Sequence, residues 1–181
     1  MRLGLKLAAI MSALFVVSAC TSVEPAPEPH PDTQRLLSSG PVVGFLSENG
    51  APTWLGLPYA QSTSGANRWR APEPTPSRTG LLEALQHPEP CPQIVNRLST
   101  ETTGLPVGAL YGSEDCLKLD VYAPASAEPG ADGLPVMMWI HGGSNTWGYA
   151  SQYDGSKLAQ EQDVVVVVVQ YRLGPLGFFA H

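Results

Sequence analysis

Among the 181 residues, His141-Gly142-Gly143-Ser144 is the segment best suited to chemistry. It follows an apolar run, and glycine after a strand lets the main chain approach a bound molecule with no Cβ in the way. Main-chain N–H groups presented on such a turn can stabilise an oxygen that becomes negative during acyl transfer. That reaction also needs a nucleophile, which the pattern G-x-S-x-G raises on a sharp strand-to-helix turn. No serine here sits in that pattern. Ser144 has Gly142 two residues before it but Thr146 two after. His141 reads as a residue that organises the loop, His30 as a solvated side chain in a proline-rich stretch, and His181 is the final residue of the sequence.

The elements that must position this loop are legible around it. Leu117, Leu119 and Val121 alternate with Lys118, Asp120 and Tyr122, the period of a half-buried strand. Pro135 to Ile140 is an unbroken apolar run, as expected of a strand buried on both faces. Ser156 to Gln162 predicts a short helix, with Leu158 and Ala159 on its apolar side. The six valines from Val164 to Val169 predict an interior strand. Strand, glycine loop, helix, strand is the grammar of an α/β fold with a mostly parallel sheet. Upstream, Asn49-Gly50 between the apolar runs Val42–Leu46 and Thr53–Leu57 predicts a hairpin. Residues 58–115 read as loops with one short helix around Leu81 to Gln86.

The N-terminal 19 residues read as an export signal. Arg2 and Lys6 precede the apolar stretch Leu7–Val17, which is too short for a membrane span. Val17-Ser18-Ala19-Cys20 resembles the lipobox of bacterial lipoproteins, which implies cleavage before Cys20 and its lipidation. The pair Thr21-Ser22 lacks the aspartate that retains such proteins in an inner membrane. The expectation is therefore an exported chain anchored to a bacterial membrane, the outer one where there are two. Prolines at every second residue from Pro25 to Pro31 mark residues 20–40 as an extended tether, leaving a folded body over 41–181. With Cys20 lipidated, Cys91 and Cys116 remain, and an even pair in an exported protein reads as one disulfide. Two thiols with no nearby histidine pair give no four-ligand metal set. At 43% hydrophobic and 14% charged residues the chain is expected to fold. A net charge of −6 with no basic cluster beyond the first residues excludes nucleic acid as the main partner.

Seven segments, in order, resemble the carboxylesterase type-B family of para-nitrobenzyl esterase and cholinesterase-like enzymes. They are Leu55-Gly56-Leu57-Pro58-Tyr59-Ala60, Arg68-Trp69-Arg70-Ala71-Pro72, Cys91-Pro92-Gln93, the run from Ser113 to Tyr122, Trp139-Ile140-His141-Gly142-Gly143, Tyr153-Asp154-Gly155 and Tyr171-Arg172-Leu173-Gly174. The resemblance implies the N-terminal part of an α/β-hydrolase, a Ser-His-Glu or Ser-His-Asp triad lying beyond residue 181, and no metal or organic cofactor. It implies that Gly143 and Ser144 supply two oxyanion-hole amides, with Ser144 where the family most often has a third glycine. It also implies a Cys91–Cys116 disulfide and a buried structural ion pair between Arg68 and Glu114. Trp54, Trp69 and Trp139 are expected in the core, and Trp147 is a candidate for the wall of the substrate gorge. Tyr111 is the lone aromatic between the two cysteines, which disfavours choline esters.

The expected function is hydrolysis of a small-molecule carboxylic ester by the intact parent, with this chain inactive alone. Two other readings stand beside it: a lipid-anchored, non-catalytic binding module on the same scaffold, and a decayed reading frame. Loss of the neighbouring strand is expected to leave Val164–Val169 as an exposed, aggregation-prone edge.

Overall fold

The computed structural model describes residues 26–127 and 133–179. The proposed signal, Cys20 and His181 lie outside the described residues. In chain order the strands are β1 (Arg35–Leu37), β2 (Gly40–Val43), β3 (Phe45–Leu46), β4 (Pro52–Pro58), β5 (Leu82–Glu83), β6 (Gln93–Ile94), β7 (Leu110–Tyr111), β8 (Lys118–Tyr122), β9 (Val136–Ile140) and β10 (Val165–Val169). The α-helices are α1 (Thr100–Thr103), α2 (Ser156–Gln162) and α3 (Gly174–Phe178).

The central sheet runs β3-β4-β8-β10-β9. β10 pairs antiparallel with β8 and parallel with β9, so the α/β fold carries a mixed sheet. Its valines alternate: Val166 and Val168 are buried with Leu55, Tyr122, Ala150 and Ala159 on the face that α2 covers. Val165 points to the opposite face and packs with Trp54, Val121 and Leu57. A small sheet, β1-β2-β5, closes that side. The hairpin forms as expected between β3 and β4, with Phe45 opposite Thr53. Gly50 sits in its turn at φ 79°, the left-handed region that glycine enters without steric cost. The α2 helix has the predicted bounds, and Asp163, in left-handed geometry, caps it by donating its N–H to Ala159 O.

Several expectations are corrected. Residues 35–40 are not tether. Thr33 is fully buried, its Oγ1 accepts the Gly44 N–H at 2.8 Å, and Trp54 Nε1 donates to Thr33 O at 2.8 Å. The body therefore begins near His30, because the main chain just past the prolines has donors and acceptors waiting for it. Leu81–Gln86 is not a helix. Leu82 and Glu83 pair with Val42 and Val43, and Ala84 O accepts the Leu55 N–H, so two neighbouring strands hold this segment extended. The valine strand is not an edge, since both of its sides are paired. β9, beside it, ends the sheet on that side and is exposed along its whole length rather than buried on both faces. Trp139 and Trp69 are 43% and 46% exposed, outside the core, whereas Trp54 is buried as expected.

Candidate active-site loop

β9 delivers the chain to His141, which is 2% exposed and stacks on Tyr171 with ring centroids 4.4 Å apart. The Tyr171 hydroxyl donates to His141 O. His141 Nδ1 donates to Gly142 O at 2.9 Å, which leaves Nε2 buried and without a partner among the described residues. Burial holds this imidazole below its ordinary pKa, and the hydrogen bond to Gly142 opposes that shift. The buried ring stacks inside the loop as a wedge between Tyr171 and the Gly142 carbonyl.

The next residues turn sharply. Gly143 has φ 124°, and a Cβ there would lie 1.7 Å from Trp147 O, so no larger residue fits. Ser144 and Asn145 are both left-handed at φ 56° and 57°, strained for side-chain-bearing residues. The turn closes when the Thr146 and Trp147 N–H groups and Thr146 Oγ1 all converge on Gly143 O. Gly174 N donates to Asn145 O at 2.6 Å, tying the turn to the start of α3. Among the described residues, the amides of Gly143 and Ser144 have no acceptor.

Gln93 locks the far end of the loop. Its Oε1 accepts the Gly148 N–H at 2.9 Å, while its Nε2 donates to Gly148 O at 3.0 Å and to Cys91 O at 3.1 Å. Sequence reasoning quoted Cys91-Pro92-Gln93 as a block but gave Gln93 no role. A buried glutamine must satisfy its amide, yet nothing local says which distant peptide does so. The disulfide Cys91–Cys116 is formed, with Cα atoms 5.0 Å apart. Gln93 and the loop are thereby tied to the strand that starts at Lys118.

Arg68 and Glu114 meet in a two-pronged contact, Nε to Oε2 at 2.7 Å and a guanidinium nitrogen to Oε1. The pair is not buried: the side chains are 43% and 23% exposed. It lies away from the glycine loop, beside Arg172, whose guanidinium donates to Arg70 O. Beside the glycine loop opens a cavity of about 900 Å³, bounded by Trp147, Thr146, Gln93, Ile94 and α3. Trp147 and Thr146, at the end of the glycine turn, stand on the wall of this space.

The sequence model of the carboxylesterase family matches residues 31–181. Cocaine esterase of Homo sapiens is 42% identical over 156 residues, covering 81% of this chain and 27% of that protein. Para-nitrobenzyl esterase of Bacillus subtilis (strain 168) is 45% identical over 134 residues, 73% of this chain and 26% of its own length. A solved thermophilic PNB esterase superposes with a TM-score of 0.71 at 41% identity, over 82% of this chain and 29% of that one. The chain spans less than a third of the length of these relatives.

Proposed function

Since the chain belongs to the carboxylesterase family, we propose that it forms the oxyanion-binding part of a serine carboxylic ester hydrolase. The observation that carries this reading is the pair of unpartnered amides, Gly143 and Ser144, on a turn locked from both ends beside an apolar cavity. In acyl transfer the ester carbonyl oxygen gains charge as the carbon becomes tetrahedral. Main-chain N–H donors held in place before the reaction need no reorganisation at that moment. Removing one such donor costs an intact enzyme about 2.7–4 kcal/mol of transition-state stabilisation. Ser144 supplies its main-chain amide as glycine would, from a residue held at a left-handed φ of 56°. The nucleophile, its acid and its base belong, on this reading, to sequence following His181, because no serine in these 181 residues stands in G-x-S-x-G.

A second reading, a non-catalytic binding module on the same scaffold, differs from the first in the residue at the nucleophile position. Lipidation of Cys20 and anchoring to a bacterial membrane are part of the proposal, resting on Val17-Ser18-Ala19-Cys20 after a short apolar stretch. Mass spectrometry of the protein from a bacterial host, with and without Cys20→Ala, checks that anchor.

The deciding experiment is to sequence the DNA beyond the His181 codon and assay the encoded protein on a 4-nitrophenyl ester. An open frame carrying G-x-S-x-G, with turnover blocked by a serine-directed phosphonate, supports the hydrolase. Another residue at the serine position, with no turnover, selects the binding module.

A further inference from the structure

We infer that Arg97 makes the cavity beside the glycine loop selective for esters whose apolar part carries a free carboxylate. This deepens the hydrolase reading and rests on it. The wall of the cavity is largely apolar, with Ile94, Val107, Leu110, Trp147 and Leu176 among its residues. Three of its uncharged polar side chains make hydrogen bonds within the protein. Gln93 is bound to Gly148 and Cys91, Asn96 Oδ1 accepts from the Leu98 and Ser99 amides, and Thr146 donates to Gly143 O. Among the described residues Arg97 is the charged residue on the wall, and its guanidinium has no hydrogen bond or ion pair with any of them. Glu101, one helical turn along in α1, makes no ion pair with it within 4.0 Å.

An unpaired arginine on a largely apolar wall favours a ligand that offers both an apolar body and an anion. It disfavours a cationic one, and among the described residues the wall holds no carboxylate to reverse that preference. Two features keep Arg97 in place. The disulfide closes the segment from Cys91 to Cys116, and Asn96 folds the turn on which Arg97 sits. Arg97 is therefore a specificity-determining residue for the non-scissile part of the substrate and takes no part in the bond-breaking step.

Matched esters test this. Equilibrium dialysis of the protein compares ethyl hydrogen sebacate, whose apolar acyl chain ends in a free carboxylate, with its neutral methyl ester. The guanidinium is solvent-exposed, so the preference for the anion is expected to be modest, about fivefold in Kd at low salt. It should fall to parity in Arg97→Gln and persist in part in Arg97→Lys. In about 1 M salt, where charges are screened within about 3 Å, it should vanish. Equal affinity of the two esters for the unmodified protein, or a preference that survives Arg97→Gln, overturns the inference alone. Binding of neither ester overturns the substrate-cavity reading as well.

Discussion

Asp120, in the middle of β8, has no exposed surface, and both of its carboxylate oxygens are engaged. Oδ1 accepts the Gly56 N–H at 2.8 Å and Oδ2 accepts from His87 Nδ1 at 2.7 Å. The alternating pattern placed Asp120 on the polar side of a half-buried strand, but His87 lies 33 residues away in a loop and gave no local sign of pairing. Replacing His87 with alanine should leave one buried oxygen unpaired and cost about 1–3 kcal/mol in a urea denaturation midpoint. Gly143→Ala forces its new Cβ into Trp147 O, so it should displace the turn and cost about 1–3 kcal/mol or more. In the intact enzyme of the proposal, turnover should fall more steeply than substrate binding. His141 sets a pH dependence whose sign follows from burial. Its folded pKa is depressed below 6.5, so the unfolded chain takes up a proton first as pH falls. That contribution to stability is complete above about pH 6.5 and declines as pH drops through the folded value, at no more than about 1.4 kcal/mol per pH unit. His141→Gln, compared by urea titration at about pH 7.5 and about pH 5.5, should remove that part of the slope.

At the scale of elements, β9 governs how the chain behaves alone. Val136, Met138 and Ile140 are 61–64% exposed on one face, while Trp139 turns the other way and packs against Tyr153. One side of β9 pairs with β10 and the other is an open row of main-chain donors and acceptors. An exposed apolar edge of high β propensity seeks another strand. The protein is therefore expected to self-associate through β9, and Met138→Lys should shift it toward monomer in sedimentation. The sequence located a hazardous edge strand but chose the wrong one. Runs of valine and of Val-Met-Met-Trp-Ile look alike in composition, and strand order depends on pairings that no local pattern encodes. α2 was readable to its bounds because its apolar residues fall on one side. β5 was not, because two extended residues are held only by distant neighbours. The glycine loop was legible as a turn, while its two clamps, Gln93 and Tyr171, were not.

Across the whole molecule, the disulfide joins a loop rich in exposed apolar residues to the central sheet. Cys91 and Cys116 are themselves buried with Leu117 and Leu173. Closing a loop with a sequence separation of 25 should contribute about 3 kcal/mol in the chain-entropy picture. Reduction, or Cys91→Ala with Cys116→Ala, should lower the thermal midpoint and loosen the Gly148 end of the turn through Gln93.

The packing of Thr33 also sets a length. Counting from Cys20, residues 21–29 are all that precede the first residue, His30, whose main chain bonds to the body. Nine residues reach at most about 3.6 Å each whatever their conformation, so they bridge no more than about 32 Å. A folded unit of about 150 residues has a radius of gyration near 15 Å by the usual scaling, and the parent of the proposal is larger. With Cys20 held in a bilayer as proposed, the domain is tethered within about its own diameter of the lipid headgroups. It would then sample the thin layer of solution where amphiphilic esters collect, rather than the bulk of the compartment around it.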